Sequence, residues 1–314
     1  MRAYSLIAPA KINLYLEIIG DRPDGYHELA MVMQSVSLAD QIDLRANGIE
    51  QFRLTCDHPD VPADQTNLAY KAAMLMAQQF PQAFHTYGAV DITIHKQIPV
   101  GAGLAGGSAD AAAVLVGLDL MWHLGLTQPE IQELGAKLGS DIPFCVTGGT
   151  AIATGRGERL AALPALDHLY VVLAKYRSLS VSTAWAYNTY RQQFGHTYEQ
   201  VDSLEGRRQR VHSGDMVMAV SQNNGEAIAQ HLHNDLEKIV LPALPQVQHL
   251  RDELSQLSRL GAMMSGSGPS VFALATSRSE AEAIQTALKA ALPDPDLEVW
   301  VTQAIANGIQ VKKC

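Results

Sequence analysis

Residues Ile98 to Ala113 read IPVGAGLAGGSADAAA, and the reading of this stretch decides the fold. Gly101, Gly103, Gly106 and Gly107 are followed by Ser108 and then by an alanine-rich run. Glycine lets a backbone approach a ligand closely and take φ > 0 without a Cβ penalty. Alanine has the strongest helix propensity, so the stretch predicts a loop opening into a helix. The first turn of such a helix leaves N–H groups unpaired and aligned with the helix dipole, which suits a phosphate. Several unrelated folds use a loop of this kind, and its surroundings must choose among them.

The Walker pattern GxxxxGK[ST] is absent, which argues against a P-loop nucleotidase. Gly101-x-Gly103-x-x-Gly106 matches the dinucleotide-binding fingerprint letter for letter, but its context is wrong. Gln97-Ile98-Pro99 separates the first glycine from the preceding strand pattern, whereas the fingerprint turns directly off its strand. Where an acidic ribose-binding residue should follow, about 20 residues on, the chain reads GLTQP and starts a helix. A tight turn alone would not need four glycines and a serine.

Composition narrows the classes further. A chain of 314 residues can bury a sizeable core and make two domains. Hydrophobic residues at 47% and charged residues at 18% are ordinary for a globular protein. A net charge of −9 argues against a general nucleic-acid binder, yet a nucleotide site needs only local N–H groups and one or two lysines. Cys56, Cys145 and Cys314 are scattered with no CxxC, so neither a disulfide framework nor a zinc site is expected, and a reducing compartment is. His231 and His233 would face different ways on a helix and read as surface residues. No run of about 18 apolar residues predicts a membrane span, and the first 20 residues lack the uninterrupted apolar core of a signal peptide. A cytoplasmic location with no membrane partner is expected.

Along the chain, Ser5 to Ile18 predicts extended structure broken near Pro9, with Lys11 and Asn13 on one strand face. Pro23 and Asp24-Gly25 mark a turn, and Met31–Val36 and Gln41–Leu44 predict two further strands of an antiparallel sheet. Asn67 to Phe80 has helical apolar spacing, and Ala89 to Lys96 alternates as a half-buried strand. The helix after the glycine loop runs to about Leu124 and is apolar almost all round, which predicts burial. Thr127 and Glu130 form a capping box for a helix to about Leu138. Gly148–Thr154 and Tyr170–Ala174 read as strands, with the turn Gly155-Arg-Gly-Glu158 between them. A composition shift at Leu163-Pro164 suggests two domains, 1–163 and 164–314. The polar stretch from 190 to 215, with Arg207, Arg208 and Arg210, reads as a solvated excursion. Leu241 to Ser258 predicts a helix closed by Gly261, Ser279–Glu282 a second capping box, and Leu297, Val299 and Val301 a last strand.

PVGAGLAGGSADAAA resembles the second motif of the galactokinase, homoserine kinase, mevalonate kinase and phosphomevalonate kinase (GHMP) superfamily. APAKINLYLEI near the N-terminus and GAMMSGSGPSVFAL near the C-terminus resemble its other two motifs, in the same order. PAKINLYLEIIGDRPDGYHEL, LGSDIPFCVTGGTAIATGRGE and HNDLE are similar to one branch, the 4-diphosphocytidyl-2-C-methyl-D-erythritol kinases of non-mevalonate isoprenoid biosynthesis. The resemblance implies an α+β protein with a ribosomal-S5-domain-2-like N-terminal domain and a ferredoxin-like C-terminal domain, the active site lying between them. It also implies phosphorylation by ATP of the 2-hydroxyl of the methylerythritol unit. Homoserine kinase, mevalonate kinase and a non-catalytic nucleotide or sugar sensor are the competing readings.

The same resemblance assigns roles. Asp141 is the general base and Lys11 the cation beside it, favouring the ionised carboxylate and stabilising the reacting oxygens. Asn13 holds substrate hydroxyls. Pro99, Val100, Gly101, Ala102, Gly103, Leu104, Ala105, Gly106, Gly107, Ser108 and Ala109 form the ATP loop, with Ser108 beside phosphate or Mg²⁺. Many relatives have a second serine where Ala109 stands, so any second hydroxyl is lost here. Asn67 and Lys96 match positions around the adenine, and Asn67 also suits a helix N-cap. Tyr26 and His27 match the cytosine pocket, with Tyr187 as the second aromatic wall and Trp185 competing for that place. Thr183 matches a substrate-contacting threonine, and Gly266, Ser267 and Gly268 match a turn that places backbone near the substrate diphosphate or braces the phosphate loop.

Overall fold

The hairpin that carries the first motif dictates the frame. In the computed structural model, which describes residues 2–198 and 214–312, β1 (Ala3–Asp21) and β2 (His27–Ala46) are long antiparallel partners. The register shifts between Pro9 and Ala10, where a missing proline N–H interrupts the ladder. Met31–Val36 and Gln41–Leu44, expected as separate strands, are one strand, because the ladder resumes beyond that irregularity. β2 is shared lengthwise. Its C-terminal part pairs with β4 (Val90–His95), which in turn pairs parallel with β3 (Arg53–Cys56). Its N-terminal part pairs with β5 (Thr150–Gly155), followed by β6 (Arg159–Leu163).

Against this sheet pack α1 (Leu68–Gln79), α2 (Pro81–Tyr87), α3 (Gly106–Trp122), α4 (Gln128–Ala136) and α5 (Ile142–Thr147). α3 is buried almost all round, as its composition predicts, and a Cβ on its Gly117 would stand 2.3 Å from Leu44 Cδ1. The sheet and helix can therefore approach only because that residue has no side chain. Asn67 caps α1 by accepting from Ala69 N–H, and the Thr127–Glu130 capping box opens α4. Asp141 is the N-cap of α5, where Pro143 sits in the first turn; the proline begins a helix here instead of preventing one.

After β6 the chain enters a second antiparallel sheet, ordered β11 (Leu297–Gln303), β7 (Tyr170–Tyr176), β10 (Val271–Ala275) and β9 (Ala262–Met264). Its helices are α6 (Thr183–Phe194), α7 (Asp215–Ser221), α8 (Gly225–Gln230), α9 (Glu237–Ala243), α10 (Pro245–Leu257) and α11 (Arg278–Ala291). Two short strands return to the first sheet: β8 (His233–Asn234) pairs parallel with Tyr15–Leu16, and β12 (Gln310–Val311) pairs with Leu6–Ile7.

Several local expectations change. The single helix over 241–258 is broken at Leu244, because Pro245 cannot donate to the preceding turn and instead opens α10. α10 ends at Ser258 in extended conformation, so Gly261 is not its closing residue. The last capping box uses Ser277 and Glu280: the Ser277 hydroxyl accepts from Glu280 N–H, and Glu280 accepts from Thr276 N–H at 2.8 Å. His231 ends α8 and His233 lies in β8, so they do not share a helix. The arginine cluster at 207–210 and Cys314 lie outside the described residues; Cys56 and Cys145 are free thiols.

Candidate active site

Three distant backbone segments lock onto one another at the centre of the molecule. Lys11 N–H donates to Leu104 O at 3.1 Å, joining the first motif to the glycine loop. Ser265 Oγ donates to Gly103 O at 3.2 Å, joining the third motif to the same loop. A Cβ on Gly103 would lie 2.2 Å from Ser265 O, and Gly103 has φ 73°, so both space and backbone conformation demand glycine. Ala105 is left-handed (φ 58°) and begins α3, whose first residues Gly106, Gly107 and Ser108 carry N–H groups without helical acceptors.

These segments surround one cavity of about 790 Å³, within the usual range for small-molecule sites. The structure brings to its wall Lys11, Asn13, Tyr26, His27, Asn67, Lys96, every residue from Pro99 to Ser108, Asp141, Thr183, Tyr187, Gly266 and Ser267. Ala109 is the exception: its methyl group is fully buried in α3 and does not reach the wall. Trp185 is 41% exposed and off the wall, so of the two aromatic candidates on α6 it is Tyr187 that faces the cavity.

Lys11 is buried, with Nζ 2.6 Å from Asn13 Oδ1 and 3.7 Å from Asp141 Oδ2. The Asp141 side chain makes no cap hydrogen bond in α5, which leaves its carboxylate available to the cavity. Gly266 approaches the pair so closely that a Cβ there would meet Asn13 Oδ1 at 3.2 Å and Lys11 Nζ at 3.3 Å. Asn234, in the HNDLE segment, holds that turn by donating from Nδ2 to both Met264 O and Gly266 O, each at 2.8 Å. Next to it, Asp235 accepts from Ile18 N–H at 2.8 Å and meets His233 and Lys238. Burial would raise its pKa, but these partners hold it down at about 2.

Lys96 belongs to a buried triad. Nζ meets Asp40 Oδ2 at 2.5 Å and Asp110 Oδ2 at 3.0 Å, while Asp40 Oδ1 accepts from Gln97 and Ile98 N–H just before the loop. Burial and the neighbouring Asp40 charge push the Asp110 carboxyl well above the ordinary carboxylate range, with Lys96 opposing. The ammonium expected around an adenine is thus engaged in anchoring both ends of the loop. Sequence reading missed this role because Asp40 stands in no motif, and Asp110, although inside the glycine motif, carries no local sign that its side chain turns back to Lys96.

At the other end, His27 is buried, its ring 5.2 Å from that of Tyr187. Burial, then the positive charge of Arg191, lower its pKa to about 4, so the imidazole is neutral near pH 7. Its Nε2 is buried without a hydrogen bond among the described residues and stands 3.7 Å from Asp21 Oδ1. Tyr26 is 52% exposed with the Arg156 guanidinium 4.7 Å above its ring. Arg156 also lines the cavity, and its place inside the Gly155–Glu158 turn carried no signal of a binding role.

No group of three or more His, Cys, Asp or Glu side chains suited to a metal occurs among the described residues. The donors fit Mg²⁺ carried by nucleotide phosphates, which needs only one or two protein oxygens. The Ser108 hydroxyl is on the wall, and Asp110 Oδ1 is buried there without a partner among the described residues.

Residues 67–149 match the family described as GHMP kinases N terminal domain, and residues 212–294 match GHMP kinases C terminal. The chain is 62% identical over 313 residues to the 4-diphosphocytidyl-2-C-methyl-D-erythritol kinase of Trichormus variabilis, covering 99% of each chain. It is 63% identical to the enzyme of that name from Nostoc punctiforme, again over 99% of both. A crystal structure of 4-(cytidine 5'-diphospho)-2C-methyl-D-erythritol kinase superposes with a TM-score of 0.72 at 30% identity, covering 96% of this chain and 99% of the other. The homoserine kinase of Cytophaga hutchinsonii gives 0.76 at 20% identity, covering 99% and 98%. The backbone alone therefore does not separate the two kinds of kinase.

Proposed function

The chain belongs to the 4-diphosphocytidyl-2-C-methyl-D-erythritol kinases of the GHMP kinase family, and from that premise we propose that it transfers the γ-phosphoryl group of ATP to the 2-hydroxyl of the methylerythritol unit. The carrying observation is the Lys11–Asn13–Asp141 cluster, which shares one cavity with a glycine-loop helix N-terminus and with the Tyr26–His27–Tyr187 aromatic group.

In this reading the loop N–H groups from Gly101 to Ser108 hold the phosphates of the donor. Ser108 would stand beside an Mg²⁺ carried by those phosphates, and such an ion would supply neutralisation of the charge that develops during transfer. Asp141 accepts the hydroxyl proton, and Lys11 stabilises the oxygen that loses it. Asn13 orients the acceptor: its Oδ1 accepts from Lys11, and among the described residues its Nδ2 has only Met31 Sδ at 3.5 Å, a weak partner that a substrate hydroxyl displaces. Asn67 keeps its capping role and retains a free amide hydrogen for a purine. Tyr26 and Tyr187 flank the cytosine, whose edge meets the neutral His27. Thr183 Oγ1 and Ser267 Oγ, 3.0 Å apart, reach the acceptor from α6 and the third motif.

The unit boundary at 163/164 and a cytoplasmic location belong to the same reading. The first is supported by the change of sheet after β6. The second is compatible with the free thiols and with the absence, among the described residues, of any helix long and apolar enough to cross a membrane.

The test is a substrate panel under coupled ADP release: the cytidylyl acceptor, homoserine and mevalonate, each with ATP and Mg²⁺. Turnover is expected with the cytidylyl acceptor alone. Turnover with homoserine or mevalonate and none with the cytidylyl compound would overturn the assignment.

A further inference from the structure

Three lysine and arginine side chains stand on the cavity wall: Lys11, Lys96 and Arg156. Lys96 is engaged by two carboxylates, and Lys11 by Asn13 and Asp141. Arg156 forms no close ion pair among the described residues, although its charge is one of the influences that hold the exposed Asp24 carboxyl below its ordinary range, after the hydrogen bond from Arg22, and its one hydrogen-bond contact from the guanidinium among them is a long one, Nη2 to Ala136 O at 3.5 Å. An arginine facing a cavity with most of its five N–H donors free is a site for an anion.

Its position says which anion. One side of the guanidinium lies over the Tyr26 ring, at the base-binding end of the cavity. The other reaches Ala136, at the end of α4, five residues before Asp141. The turn carrying it packs on the same segment: a Cβ on Gly157 would come within 3.8 Å of Ser140 Cβ. Arg156 N–H donates to Glu158 Oε2 at 2.6 Å, and Gly155 N–H donates to the buried Glu28, so two carboxylates hold the backbone that bears the guanidinium. Arg156 therefore touches Tyr26 on one side and, on the other, the segment that leads from α4 to Asp141, which places it on the interval of the wall between the aromatic group and that segment. In an acceptor whose nucleoside and polyol are joined through a diphosphate, that interval is where the diphosphate lies.

Resting on the function proposed above, we propose that Arg156 binds the diphosphate of the acceptor. It thereby selects nucleoside diphosphate-linked polyols over uncharged nucleosides or free polyols. The Tyr26 ring, 4.7 Å below the guanidinium carbon, is a cation–π partner for it, and the planar fork of an arginine presents paired N–H donors to a phosphate as a lysine would not.

The test compares cytidine with cytidine 5'-diphosphate as inhibitors competing with the acceptor at saturating ATP, in the wild type, Arg156→Gln and Arg156→Lys. A charge-assisted hydrogen bond of ordinary strength predicts that the diphosphate binds the wild type at least about tenfold more tightly than cytidine. Arg156→Gln should shrink that preference to under about threefold and raise the KM of the acceptor about tenfold, with cytidine inhibition and the KM for ATP unmoved. Arg156→Lys should keep part of the preference, which also shows that the turn tolerates substitution. Equal weakening of cytidine and its diphosphate in Arg156→Gln would make Arg156 only a brace for Tyr26 and overturn the proposal, as would no change in either. In both cases wild-type turnover of the cytidylyl acceptor still stands; its absence would overturn the proposed function together with this inference.

Discussion

Single residues carry both the chemistry and the pH response. Asp141 has a carboxylate that its own helix does not use, 3.7 Å from a buried ammonium. Asp141→Asn keeps the size and removes the carboxylate proposed as the base, so kcat should fall by about 10²–10⁴ while ATP affinity is retained. Coupled ADP release and a nucleotide-binding titration measure the two, and turnover within threefold of wild type would remove Asp141 from that role. His27 gives a separate expectation. Its folded pKa of about 4 lies below the 6.5 of a free imidazole, so between these values the unfolded chain binds the proton first. Its contribution to stability is full above pH 6.5 and is lost as pH falls toward 4, by at most about 1.4 kcal/mol per pH unit. Urea midpoints at pH 7 and pH 5 should fall less steeply in His27→Gln than in the wild type; identical slopes would show that this histidine titrates normally. Of the residues in the site, Lys11, Asp141, Tyr26 and His27 were legible because each sits in a short motif. Arg156, Asp40 and Asp110 were not, because what they do depends on partners far away in the chain.

At the level of elements, local chemistry set most boundaries. Asn67 and the Thr127–Glu130 pair open their helices where capping requires. The misplacements came where two local signals competed: Pro245 broke a continuous apolar pattern, and Ser277 displaced Ser279 as cap because Thr276 and Glu280 close the box two residues earlier. The glycine loop is the element on which the proposed function depends most. Its conformation is imposed by the third motif as much as by its own sequence, since Gly103 has Ser265 O where a side chain would be. Gly103→Ala must move the loop away, and a shift of about 1 Å in the held phosphates predicts a loss of about a hundredfold in kcat/KM for ATP. Steady-state kinetics at fixed acceptor measure this, and a loss below about threefold would show that the loop does not position the donor.

The whole molecule is two sheets joined by segments that cross back. β8 brings Asn234 and Asp235 against β1, and Asn234 then supports the Gly266 turn beside Lys11. Asn234→Ala would leave two buried carbonyls without their donor, for a loss of about 1–3 kcal/mol. It should also lower kcat, because the turn it frees touches both Lys11 and Asn13. Urea unfolding together with turnover tests this, and a variant as stable and as active as the wild type would show that the turn holds itself. The sequence by itself determined the loop-to-helix device, the order of the three motifs and most helix caps. These rest on backbone preferences and hydrogen bonds that close within a few residues. Only the tertiary structure decided that Lys11 faces Asp141, that Lys96 is taken by Asp40 and Asp110, and that Arg156 lies over Tyr26 between the two ends of the cavity. Those contacts follow from the register of β1, β2 and β5 and from where each connection returns, and no local pattern of residues encodes a distance across a sheet.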